Sequence, residues 1–121
     1  MLPNSKLKNM FKLGCKVTIY VPATININEE IDNSAYVDRA ATLLSECFGG
    51  ATSTKALGYW VSPIAGLTKE KTTMVFAYCT SEQLDEYSDK VVSFCIDLCK
   101  ELSQDAIALE INGEMYFIDA E

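Results

Sequence analysis

Thr72-Thr73-Met74-Val75-Phe76-Ala77-Tyr78-Cys79 runs directly into Thr80-Ser81-Glu82-Gln83-Leu84, and this junction decides the fold. The first eight residues are β-branched, aromatic or apolar with no breaker, the composition of a buried strand. Thr80 followed three residues later by Gln83 is the spacing of a capping box, in which each side chain satisfies a backbone N–H of the other. Behind the cap, Leu84, Tyr87, Val91, Cys95, Leu98 and Leu102 recur on one helical face, while Glu82, Asp85, Glu86, Asp89, Asp97 and Glu101, with Lys90 and Lys100, hold the other. A strand is thus followed at once by an amphipathic helix.

The same pairing occurs upstream. Val17, Ile19 and Val21 alternate with Thr18 and Tyr20 up to Pro22, which predicts a half-buried strand. Ala23 to Asp32 is polar and reads as a loop. Asn33 and Ser34 offer N-caps to a helix whose stripe is Val37, Ala40, Ala41, Leu44, Cys47 and Phe48, stopped by Gly49-Gly50. Ala51 to Ser62 predicts a strand with a bulge at Gly58, and Pro63 to Lys71 a polar connection to the strand beginning at Thr72. Downstream, Ala106–Ile111 and Glu114–Ile118 flank Asn112-Gly113, a tight hairpin signal. The order is β-α-β-β-α-β plus one strand. It predicts an α+β, ferredoxin-like domain over residues 15–121, an antiparallel sheet with both helices on one face and an extra C-terminal hairpin strand. Tyr20, Tyr59, Tyr78 and Tyr116 are expected on the other, open face, where they would draw a second copy into a homodimer.

Charge narrows the functions. The 121 residues hold 17 acidic and 10 basic side chains and no histidine, a net −7. Lys6, Lys8, Lys12 and Lys16 form a basic tail, expected over residues 1–14 and reaching the first strand, so the body after Lys16 carries −11. Direct nucleic-acid binding is disfavoured. Missing histidine removes imidazole triads and most catalytic zinc sites. The longest apolar run in the tail is Met10-Phe11, too short for an export signal, and no stretch approaches a membrane span, so a cytoplasmic protein without membrane association is expected. Five cysteines fit that compartment as reduced, packed thiols; Cys95 and Cys99 share a helix face, but two thiols do not make a metal site, and neither metal nor cofactor is expected.

Phe48-Gly-Gly-Ala-Thr-Ser-Thr54 combines two glycines with hydroxyls, which presents backbone N–H groups to an anion, although a helix C-cap explains it more plainly. Tyr59 and Trp60 offer stacking surface, and Lys55, Lys69 and Lys71 offer charge to a phosphate. Thr52, Thr54, Lys55, Tyr59, Trp60, Lys69 and Lys71 are therefore the candidate contacts to a small planar or phosphorylated ligand. A second reading takes Asp85, Glu86, Asp89, Asp97 and Glu101 as a nucleic-acid mimic facing a host enzyme. A third is a small dimeric ferredoxin-like enzyme acting on an aromatic substrate, with Tyr20, Tyr78 and Glu70 as its polar groups.

Phe48-Gly-Gly-Ala-Thr52, Gly58-Tyr59-Trp60 and Gly66–Phe76, taken in order, resemble a domain family of unknown function from mobile elements and phages of Gram-positive bacteria. Its members share a glycine-threonine segment, a G-x-W and a later acidic residue before a strand. The resemblance spans residues 15–119 and implies a counter-defence setting without catalytic residues to carry over. On these grounds the expected function is a non-enzymatic binding protein that sequesters a nucleotide-like ligand or binds a host protein.

Overall fold

The computed structural model describes residues 5–26 and 28–120; the first four residues of the expected basic tail lie outside them. The elements are α1 (Ser5–Lys8), β1 (Cys15–Pro22), β2 (Thr24–Ile25), β3 (Glu29–Glu30), α2 (Ser34–Phe48), β4 (Thr52–Ser62), β5 (Gly66–Cys79), α3 (Ser81–Glu101), β6 (Ile107–Ile111) and β7 (Glu114–Ile118). Five strands form one antiparallel sheet in the order β4-β5-β1-β6-β7, and β2 pairs with β3 in a separate ribbon. The protein is α+β, and β7 takes the sheet beyond a simple βαββαβ order.

Alternation in β1 decides where the core sits. Val17, Ile19 and Val21 lie opposite Ala77, Val75 and Thr73 of β5 and share one side of the sheet with Leu109 and Ile111 of β6. That side is covered by α2 through Ala40, Leu44, Cys47 and Phe48, and by α3 through Val91, Cys95, Leu98 and Cys99; Leu102, just past α3, and Ile107 complete the cluster. Fully burying each such aliphatic side chain contributes about 1.5–3 kcal/mol before entropy. The caps fix the helix ends. Thr80 Oγ1 accepts from Gln83 N–H at 3.1 Å while Gln83 Oε1 accepts from Thr80 N–H at 2.9 Å. Gly49, at φ +94°, donates its N–H to Ser45 O, so the glycine pair is a helix stop.

Several sequence expectations need correction. Ala23 to Asp32 is not all loop, because the β2–β3 ribbon stands there, tied to the body by Asn26 N–H on Leu102 O and Ala23 N–H on Lys71 O. Asn33 does not cap α2 with its side chain; its amide donates to Val21 O and Thr73 Oγ1, and Asp32 Oδ1 accepts from Ser34 N–H instead. Pro63 to Lys71 is mostly strand. The turn is Pro63-Ile64-Ala65, held by Ser62 Oγ accepting from Ile64 and Ala65 N–H, and the pairing passes Gly58 with no bulge. Tyr20 and Tyr78 lie on the face away from the helices, but Tyr116 lies opposite the core residue Leu109 and Tyr59 opposite Lys69, on the helix side. The difference follows from register: both residues share parity with core positions.

Candidate functional site

β1 ends at the pair Pro22–Thr72, yet β4 and β5 remain paired from Leu57–Lys71 out to Ser62–Gly66, so a two-stranded arm extends past the sheet. Directly opposed residues point the same way. Ala56, Gly58 and Trp60 therefore share the outer face with Thr72, Glu70 and Thr68, and Lys55, Leu57, Tyr59 and Val61 share the helix-side face with Thr73, Lys71, Lys69 and Leu67.

The outer face at the root of this arm brings Glu70, Gly58 and Trp60 together. Glu70 lies directly across from Gly58, whose missing side chain leaves a gap between that carboxylate and the Trp60 ring one step along the strand. Two hollows meet at Glu70. One, of about 200 Å³, is lined by Tyr20, Gly58, Thr72, Gln104 and Ala108; the other, of about 430 Å³, by Thr24, Asn28, Trp60, Thr68 and Lys69. Glu70 is half-buried. The two lysines beside it are drawn elsewhere: Lys71 Nζ sits 3.4 Å from Glu30 and Lys69 Nζ lies over the Tyr59 ring at 5.9 Å. Among the described residues Glu70 makes no ion pair. A half-buried carboxylate with no cationic partner, next to an indole and an open glycine gap, suits an organic cation carrying a flat ring.

The expected ligand set does not converge. Thr52, Thr54 and Trp60 face outward, whereas Lys55, Tyr59, Lys69 and Lys71 face the helix side. Thr52 lines a hollow with Gly49, Gly50 and Phe76, eight residues and about 26 Å along β4 from Trp60, so the glycine-threonine segment and the aromatic pair are separate features. Lys55 and Lys71 border a cleft of about 600 Å³ with Asp32 and Asn33 on the helix side. Of the three polar groups in the enzyme reading, Tyr20 and Glu70 share a hollow; Tyr78 does not, because it pairs with Lys16 at the opposite end of β1. Gln104 was not singled out from sequence. Its amide nitrogen donates to Thr24 O and Leu102 O, which holds it at the rim of the hollow.

The acidic row on α3 is also divided. Asp85, Glu86, Asp89 and Asp97 are exposed, but Glu101 is engaged by Arg39 of α2 through two hydrogen bonds of 2.8 and 2.9 Å. The guanidinium holds the Glu101 carboxyl below its ordinary pKa. Cys47, Cys79, Cys95 and Cys99 are buried, and burial pushes the Cys95 thiol up to about 12, so it stays protonated. Among the described residues no three His, Cys, Asp or Glu side chains gather to hold a metal, and no helix is long and apolar enough to cross a membrane.

Two solved structures share this fold. A phage SAM lyase in complex with S-methyl-5′-thioadenosine is 17% identical over 90% of this chain and 94% of its own, with a TM-score of 0.63. A phage SAM lyase in the apo state is 18% identical over 93% of this chain and 96% of its own, with a TM-score of 0.65. No protein-family profile and no curated protein sequence matches the chain. Both neighbours are enzymes, and this overturns the expectation of a non-enzymatic binding module and the inference from missing histidine that catalysis was disfavoured.

Proposed function

We propose that the protein is a lyase that cleaves S-adenosylmethionine, releasing S-methyl-5′-thioadenosine. The observation that carries the reading is Glu70, a half-buried carboxylate without an ion-pair partner facing the Gly58 gap beside Trp60, on a scaffold that matches two phage SAM lyases nearly end to end. The substrate is the organic cation with a flat ring that this arrangement suits. Adenine stacks on Trp60, and Glu70 holds the α-ammonium group. That ammonium stays charged throughout the reaction, so the attraction persists in the transition state.

The bond change is self-contained. The bond from sulfur to Cγ of the methionine portion breaks with its electron pair passing to sulfur, and the neutral thioether leaves. The substrate's own carboxylate attacks Cγ, forming the new C–O bond and closing a five-membered lactone. No proton is transferred at the breaking bond and no water is consumed. A site that performs it needs to fold the substrate chain and strip water from two charges that cancel as the reaction proceeds. Neither task calls for histidine.

The strand order, with β1 between β5 and β6 and a helix after β1 and after β5, supports a ferredoxin-like arrangement extended by β7. A counter-defence role on a phage or mobile element, as the family resemblance implies, would then act by consuming a methyl donor rather than by occupying a partner. Calorimetry with S-methyl-5′-thioadenosine and a cleavage assay on wild type and Glu70→Gln test the site. Wild type is expected to bind the thioether; the variant is expected to bind it equally and to cleave S-adenosylmethionine with a kcat/KM about 100-fold lower, carried by KM. Absence of thioether binding by wild type, or full activity in Glu70→Gln, overturns the assignment.

A further inference from the structure

The helix-side cleft at the root of the arm lies on the face of the β4–β5 ladder opposite to Glu70, and the lyase chemistry makes no use of it. Its volume is about 600 Å³, inside the range of roughly 300–1,000 Å³ for small-molecule sites. Ala23, Ile31 and Leu57 give it apolar walls, and Leu57 is left 50% exposed. Charge at the rim is balanced but not joined. Lys71 is taken by Glu30, its Nζ 3.4 Å from the carboxylate. Lys55 and Asp32 both line the cleft and attract one another, yet they form no ion pair among the described residues. Asp32 is held in place: Oδ1 accepts from Ser34 N–H at 3.0 Å and from Ser34 Oγ, while Oδ2 accepts from none of the described residues. The Ser34 bonds first, and the Lys55 ammonium after them, keep the Asp32 carboxyl below its ordinary pKa, so it is charged at neutral pH.

We infer that this cleft binds a free α-amino acid with an apolar side chain, its carboxylate on Lys55, its ammonium on Asp32 and its side chain against Leu57, Ile31 and Ala23. The charges select the class. A bare anion drawn to Lys55 is repelled by Asp32, and a bare cation drawn to Asp32 is repelled by Lys55. A molecule that carries both charges a short distance apart is attracted by both, and it enters between two groups that do not already neutralise each other by contact. Because both sit at an exposed rim, their charge-assisted hydrogen bonds supply orientation and discrimination more than affinity. The apolar walls add area removed from water and reject a polar side chain. The site does not rest on the lyase reading, whose contacts Glu70 and Trp60 face the other way.

An NMR titration of the isotope-labelled full chain with L-leucine tests it. Saturable shifts are expected at the backbone amides of Ala23, Ile31, Leu57 and Thr73, with a Kd of about 1 mM, the scale of a small ligand held by exposed charges. The analogue 4-methylpentanoate, which lacks the ammonium, and 3-methylbutylamine, which lacks the carboxylate, are each expected to bind at least about 10-fold more weakly. Lys55→Met, which keeps an unbranched stem, and Asp32→Asn, which can still accept from Ser34, are each expected to weaken L-leucine by a similar factor with an unchanged circular dichroism spectrum. No saturable shift in wild type up to about 20 mM L-leucine overturns the inference. So do shifts centred on Gly58, Trp60 and Glu70, equal binding of either analogue, or undiminished binding by either folded variant.

Discussion

Gly58 and Glu70 acquire a meaning as a pair that neither has alone. A Cβ built on Gly58 would meet Glu70 O at 3.7 Å, an ordinary contact, so a larger residue fits there without displacing backbone. Valine also suits an extended strand better than glycine does. Gly58→Val is therefore expected to keep or raise thermal stability, by up to about 1 kcal/mol, while filling the gap between Trp60 and Glu70 and abolishing S-methyl-5′-thioadenosine binding in calorimetry. Binding that survives in a folded Gly58→Val protein would place the ligand elsewhere. In the sequence Gly58 reads as a bulge and Glu70 as one polar group within the Pro63–Lys71 connection, and their opposition is not legible because it follows from a three-residue turn at Pro63–Ala65, which the polar run Gly66-Leu-Thr-Lys-Glu-Lys71 conceals.

Elements whose faces differ in environment were legible, and those solvated on both faces were not. α3 announces itself through its Thr80–Gln83 cap and its one-sided stripe, and β6–β7 through Asn112-Gly113, both at positive φ. The arm beyond β1 has no fully buried residue on either face, so no alternation of apolar with polar residues marks it in the sequence. Between helices, the Arg39–Glu101 bridge links two elements 62 residues apart, which no local pattern shows. Both side chains are more than a third exposed, so the pair contributes no more than about 0.5–1 kcal/mol after solvent screening. Because the folded-state pKa of Glu101 lies below its ordinary 4.5, that contribution is complete above this value and disappears as the pH falls through the lowered pKa. Thermal melts of wild type and Glu101→Gln are expected to differ near neutral pH and to converge in acid. A difference that persists below the lowered pKa would show that the ion pair is not its source.

At the scale of the whole molecule, composition misled in an instructive way. The absence of histidine does remove the usual proton shuttle at neutral pH, and from that absence binding was ranked above catalysis. The step fails for a substrate that carries its own leaving group, since a sulfonium departs as a neutral thioether and asks for no acid. The strong negative charge, read as a mimic's surface, falls mostly on α3 and the C-terminal segment; β4 carries no acid, while Glu70 faces Gly58 and Glu30 lines the hollow that holds Trp60. What composition could not convey is position: among the described residues, Glu70 is half-buried beside an indole without a cationic partner. The most direct test incubates the full chain with S-adenosylmethionine and follows S-methyl-5′-thioadenosine by chromatography. Thioether is expected to accumulate in proportion to protein, stoichiometric with substrate lost; formation no faster than in buffer alone would contradict the lyase assignment.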